Sequence, residues 1–145
     1  MERFFQLKKV CQKYNIRILY AFGSNYDKAK KILHGAKVED NYSDLDIGVV
    51  FLKELPRGRS RTILYSEIYN DLEDIFNPFP LDLVFLEENH SVFQSQAILQ
   101  GEVLYFADEK EKEEYEERIL ARAFDFKYHL DKFYEEMLEE LQDGK

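Results

Sequence analysis

Three aspartates stand out by residue type and spacing. Asp44 and Asp46 lie two residues apart in the run Ser43-Asp44-Leu45-Asp46-Ile47-Gly48-Val49, and Asp82 sits in Leu81-Asp82-Leu83-Val84. Leu45, Ile47, Val49 and Phe51 alternate with Asp44, Asp46, Gly48 and Val50. That is the period of a β-strand, so Asp44 and Asp46 are expected to leave one face about 6.5 Å apart along the chain. Two ionised carboxylates in an otherwise apolar strand repel each other and lose hydration, a cost relieved by a cation between them or by open water. Hard divalent ions that prefer oxygen ligands, Mg2+ above all and Mn2+ as its substitute, suit such a pair. Asp82 repeats the phase on a following strand, with Leu81, Leu83 and Phe85 facing away from it. If the two strands are neighbours, three carboxylates converge, a set able to hold two metal ions roughly 3.5–4 Å apart and serve an in-line phosphoryl or nucleotidyl displacement.

Gly23-Ser24 supplies the other half of such a site. It follows Ile16-Arg17-Ile18-Leu19-Tyr20-Ala21-Phe22, a β-branched and aromatic run that predicts a strand feeding a tight turn. A glycine there lets the backbone approach a phosphate closely. A helix starting near Ser24 would offer free N–H groups and its positive dipole end to a triphosphate.

The elements that must position these residues follow from periodicity. Phe4, Leu7, Val10, Cys11 and Tyr14 recur at steps of one, three and four, predicting a first helix closed by Asn15. Residues 25–42 are polar, carry Lys28, Lys30, Lys31 and Lys37, and predict a loop with a helical turn or two, broken at Gly35. Pro56-Arg57-Gly58 ends the second strand. Ser60 is the expected cap of a helix whose apolar stripe runs through Ile63, Leu64, Ile68, Leu72, Ile75 and Phe76, before Asn77-Pro78-Phe79-Pro80 stops it. A third strand, Leu81 to Leu86, a short helix, His90 to Gln100, ended by Gly101, and a fourth strand, Val103 to Phe106, come next. Asp108 to Leu141 predicts one long helix or a pair. The fold class is therefore α/β (α+β): a small mixed β-sheet flanked by helices, with a C-terminal helical segment.

The motifs Phe22-Gly23-Ser24, Ser43-Asp44-Leu45-Asp46-Ile47-Gly48-Val49 and Leu81-Asp82-Leu83-Val84 resemble those of the minimal nucleotidyltransferases in the DNA polymerase β-like superfamily. The resemblance spans about the first hundred residues. It implies that Gly23, Ser24 and Ser43 bind the triphosphate, that Asp44 and Asp46 bind metal ions, and that Asp82 serves the catalytic metal and the attacking hydroxyl. It further implies an NTP substrate, ATP in the simplest case, with Mg2+ or Mn2+. The acceptor in that family is often a tyrosine on a partner toxin encoded alongside, and aminoglycoside-like small molecules are the other acceptor class. Asn25-Tyr26-Asp27-Lys28 stands where such proteins carry a small residue, an Arg and a second Gly, and the connection to Asp44 is longer. That departure keeps a second reading open, a non-catalytic nucleotide- or partner-binding module of the same fold.

With 145 residues the chain has room for one domain with a real core. We divide it into a core, 1–107, and an acidic helical extension, 108–145, packed on the same domain. The net charge of −9 is concentrated in that extension: 14 acidic and 7 basic residues follow Ala107, against 15 and 13 before it. Nucleic acid is therefore not an expected partner, since its binding leans on Lys and Arg. No long apolar run or leader is visible, and one cysteine, Cys11, cannot form an internal disulfide, so the expectation is a cytoplasmic protein without membrane contact. Cys11 is expected to act as a buried small hydrophobe. His34, His90 and His129 lack metal-ligand spacing. The lysines of 25–42 and Arg57, Arg59 and Arg61 fit a solvated surface as well as a phosphate contact. Phe124, Phe126, Tyr128, Leu130, Phe133 and Tyr134 are numerous for a terminal segment; a surplus beyond what covers the sheet would make an interface, with a homo-oligomer or a partner protein.

Overall fold

A computed structural model describes residues 2–38 and 43–143. The last four residues of the expected 25–42 connection, 39–42, lie outside the described residues. Helix α1 (Glu2–Lys13) turns Leu7 and Cys11 inward and stops where Asn15 adopts a left-handed φ of 55°, a conformation asparagine tolerates. Burial pushes the Cys11 thiol well above its ordinary range, in keeping with a hydrophobic role. Strand β1 (Ile18–Phe22) leads through Gly23 into α2 (Tyr26–Leu33), and β2 (Leu45–Val50) leads into α3 (Gly58–Phe76). Then come β3 (Leu81–Phe85), a single 3-10 turn (Leu86–Glu88), α4 (Ser91–Gln100), β4 (Glu102–Phe106) and α5 (Glu109–Asp143).

The sheet is four-stranded in the order β3-β2-β1-β4. β1 is antiparallel to both β2 and β4, whereas β2 and β3 are parallel. A parallel pair needs a long crossover, and α3 supplies it. The sheet is thus mixed, as the sequence predicts.

Alternation along the strands separates two cores. Leu19, Ala21, Leu45, Ile47, Val49, Leu83 and Phe85 face α1, α2 and α3. Ile18, Tyr20, Val50 and Leu86 face α4 and the first half of α5, where Ala97, Tyr115 and Ile119 cover them. The Tyr115 hydroxyl donates to buried Gln94, and the Tyr20 hydroxyl donates to Glu116, so the polar groups of this second core are paired.

Several local expectations shift. The helix after Gly23 begins at Tyr26, two residues later than Ser24, because residues 24 and 25 complete the turn that Gly23 opens. Helix α3 begins at Gly58 with extended Arg57 before it, so Ser60 lies inside the first turn and is not the cap. His90, which lacks metal-ligand spacing in the sequence, caps α4: its Nδ1 accepts from the Val92 N–H at 3.1 Å. The C-terminal region is one continuous helix of 35 residues. Among the described residues, no helix is long and apolar enough to cross a membrane.

Candidate functional site

The site lies at the end of the sheet where β1 finishes and the parallel strands β2 and β3 begin. Register sets it: Asp46 pairs with Phe22 on one side and with Asp82 on the other. Neighbouring strands run ~4.8 Å apart, so residues paired in register present their side chains together on the same face. Asp82, paired with Asp46 in register, lies close enough to act on its carboxyl. Burial first, then the charge and hydrogen bond of Asp82, then the charge of Asp44, raise the Asp46 carboxyl above the ordinary aspartate range.

Asp44 differs from the strand expectation. It precedes β2 and is exposed, and it acts on Asp46 through its charge. The arrangement is a pair in register with a third carboxylate at the mouth. Among the described residues no group of three or more His, Cys, Asp or Glu side chains is already arranged to hold a metal ion. The donor chemistry nevertheless fits a hard divalent cation: the donors are all carboxylate oxygens, and the burial and neighbouring charge that raise Asp46 are what such a cation offsets.

Gly23 is bound to this pair in two ways. Its φ of +74° is left-handed, and a Cβ at this position would fall on the Asp46 Oδ2. Only glycine lets the turn close over the carboxylate. Gly48, on the same face of β2, leaves room for Leu86, and Phe22 packs edge-on against Phe93 of α4 at 5.8 Å. The aspartates therefore sit on an apolar floor with their mouth open to water.

Asn25, the first residue to depart from the expected motif, has a structural task. Its side-chain amide donates to the Ser43 Oγ and to the Asp44 carbonyl, each at 2.9 Å. These bonds tie the Gly23-Ser24 turn to the segment entering β2 and bring Ser43 beside the turn. Sequence reasoning missed this residue; an Asn directly after Gly-Ser and before a helix was the available signal. Ser24 itself is exposed.

The outer edge of β3 is fixed from α3. The Tyr65 hydroxyl donates to the Leu83 carbonyl at 2.7 Å and the Tyr69 hydroxyl to the Leu81 carbonyl at 3.4 Å, bracketing Asp82. Several of the charged candidates are held in ion pairs. Lys30 meets Glu102 at 2.7 Å, Lys31 meets Asp27 at 3.6 Å, and Arg61 makes a two-pronged contact with Glu88 while lying over the rings of Tyr65 and Phe85. At the opposite end of β2, Leu52, Lys53, Glu87 and Arg118 line a separate polar depression.

No protein with a curated description matches the sequence. Solved structures do. A toxin–antitoxin structure with AMP-PNP aligns with a TM-score of 0.62 at 18% identity, covering 96% of this chain and 98% of that one. A toxin–antitoxin pair, MntA–HepT, aligns at 0.54 with 17% identity, covering 97% of each chain. A tri-AMPylated HEPN toxin in complex with an MNT antitoxin, from Shewanella oneidensis, aligns at 0.56 with 17% identity, covering 97% of this chain and 96% of that one. Likeness at this level of identity speaks for the fold. The family model described as "Polymerase beta, Nucleotidyltransferase" matches residues 6–110, most of the chain, and includes the Gly23 turn and all three aspartates. This chain belongs to the polymerase β nucleotidyltransferase family.

Proposed function

We propose that the protein is a metal-dependent nucleotidyltransferase that moves a nucleoside monophosphate, AMP from ATP, to a hydroxyl acceptor. The acceptor is a tyrosine of a partner toxin encoded nearby, which makes this protein its antitoxin. The observation that carries the reading is the register pair Asp46–Asp82 with Gly23 closed over it. The structural relatives that hold AMP-PNP or an AMPylated toxin favour the same substrate and partner class.

Asp44, Asp46 and Asp82 would hold Mg2+ or Mn2+, which when bound supplies charge neutralisation for the triphosphate and for the developing oxyanions. Gly23 and Ser24, with Ser43 drawn alongside by Asn25, form the turn against which the phosphates lie. Asp82 orients the acceptor hydroxyl and takes its proton. The acceptor oxygen then bonds to the α-phosphorus as the bond to the β-phosphate oxygen breaks, and pyrophosphate leaves. Asp46 stands beside Asp82 in register, so the two carboxylates serve one site.

One observation favours a second reading, a binding module without turnover: among the described residues the carboxylates form a pair and not a ready cluster of three. Mass spectrometry of the adjacent gene's product after incubation with this protein, ATP and Mg2+ separates the two. One added AMP per modified tyrosine supports transfer. Nucleotide binding with no mass change on the acceptor selects the binding module.

A further inference from the structure

Helix α5 carries one apolar stripe along its whole length. Tyr115, Ile119, Ala123, Phe126, Leu130, Phe133, Met137 and Leu141 recur at steps of three and four, which keeps them on one face. The protein covers only the first part. Tyr115, Ile119 and Ala123 are buried against the sheet and α4, and Phe126 rests edge-on against His90 at 4.5 Å. Beyond that contact the same stripe is open: Phe133 is 55% exposed and Leu141 70%. About 20 Å of helix, from Leu130 to Asp143, thus presents a continuous apolar face that no described residue covers. Such a face on a chain this polar marks an interaction surface.

Charge selects the occupant. Residues 124–143 contain seven acidic and two basic residues, a net of −5. Two copies of this helix would bring two such charges together. A partner with Lys and Arg around an apolar groove gains both burial and attraction. We propose that the distal half of α5 docks, through Leu130, Phe133 and Met137, into a basic-rimmed apolar groove of a different protein, namely the acceptor encoded beside this chain. This assignment of the surface rests on the partner named under the proposed function.

The test uses the full chain and the purified product of the adjacent gene. Affinity is measured by titration calorimetry for the wild type, for Phe133→Asp with Met137→Asp, and for Phe124→Asp on the opposite side of the helix. The stripe variant is expected to lose at least about 100-fold in affinity, while its melting temperature and its stabilisation by ATP with Mg2+ stay at wild-type values, because the altered side chains touch neither core nor site. Phe124→Asp is expected to bind as the wild type does, and wild-type affinity is expected to fall with added salt. A stripe variant that binds normally, or a Phe124→Asp variant that is equally impaired, overturns the docking face and leaves the enzyme reading standing. A wild type that does not bind the adjacent product at all removes the partner reading and this surface assignment with it. Light scattering is expected to find the isolated chain monomeric; a dimer that dissociates in the stripe variant would overturn the proposal in favour of a second copy.

Discussion

Gly23→Ala probes the site where backbone, packing and function meet. Gly23 and Gly35 both have left-handed backbones, with φ of +74° and +75°. A Cβ at either position costs about 1–2 kcal/mol of backbone strain, offset by about 0.4–1 kcal/mol from the lower freedom of the unfolded chain. The surroundings differ. Nothing lies within 4 Å of a Cβ built on Gly35, whereas one on Gly23 lands on the Asp46 carboxylate. That carboxylate must leave its rotamer, at about 0.5–1.5 kcal/mol more. Gly23→Ala is therefore expected to be less stable than Gly35→Ala by about 1 kcal/mol, or about 3–4 °C in melting temperature for a chain of this size. Thermal and urea unfolding followed by circular dichroism measure the difference. In the Asp46→Ala background the extra cost should vanish, because the clashing atoms are gone, while Gly35→Ala should cost the same in both backgrounds. Equal costs for the two alanines, or Gly23→Ala and Asp46→Ala effects that add within about 0.5 kcal/mol, would refute the closure of the turn over Asp46. Gly23→Ala should also lose most of the stabilisation by ATP with Mg2+, since the displaced carboxylate no longer faces Asp82.

Asp82→Ala should keep much of the nucleotide affinity while lowering AMP transfer at least about 100-fold, the low end of what a positioned general base contributes; radiolabelled ATP and titration calorimetry check it, and unchanged transfer would remove Asp82 from the chemistry. Glu87 gives a pH signature: its carboxylate accepts from the Phe51 and Leu52 N–H groups at 2.6 and 3.0 Å, yet desolvation dominates those bonds and Arg118 and holds its carboxyl above the ordinary glutamate value of 4.5. The native state thus binds this proton more tightly than the unfolded chain, so the Glu87 contribution to stability is greatest below pH 4.5 and falls as pH rises towards the raised folded value. The melting temperature of the wild type minus that of Glu87→Gln should fall with rising pH over that window and then level off; a difference that rises with pH would show that the backbone bonds and Arg118 outweigh burial.

How the site arises divides cleanly between local and long-range causes. Strand period two puts Asp46 and Asp82 opposite their apolar neighbours, because side-chain alternation is a property of each strand alone. The same local logic yields the Gly23 turn, the stop at Asn15, the four strands and the helical tail, since each depends on residues within a few positions. Which strands pair is another matter. The pairing of Asp46 with Asp82 exists because α3 crosses over to make β2 and β3 parallel in a register that aligns residues 46 and 82. Nothing within either strand specifies that register. The place of Asp44 outside β2 and the link from Asn25 to Ser43 and Asp44 are likewise tertiary, formed between segments eighteen or more residues apart. Helix α5 shows the division most plainly: its stripe from Tyr115 to Leu141 is one uninterrupted sequence pattern, but only the packed sheet and α4 decide that the first part becomes core and the rest stays surface, because burial depends on what the fold brings to the other side.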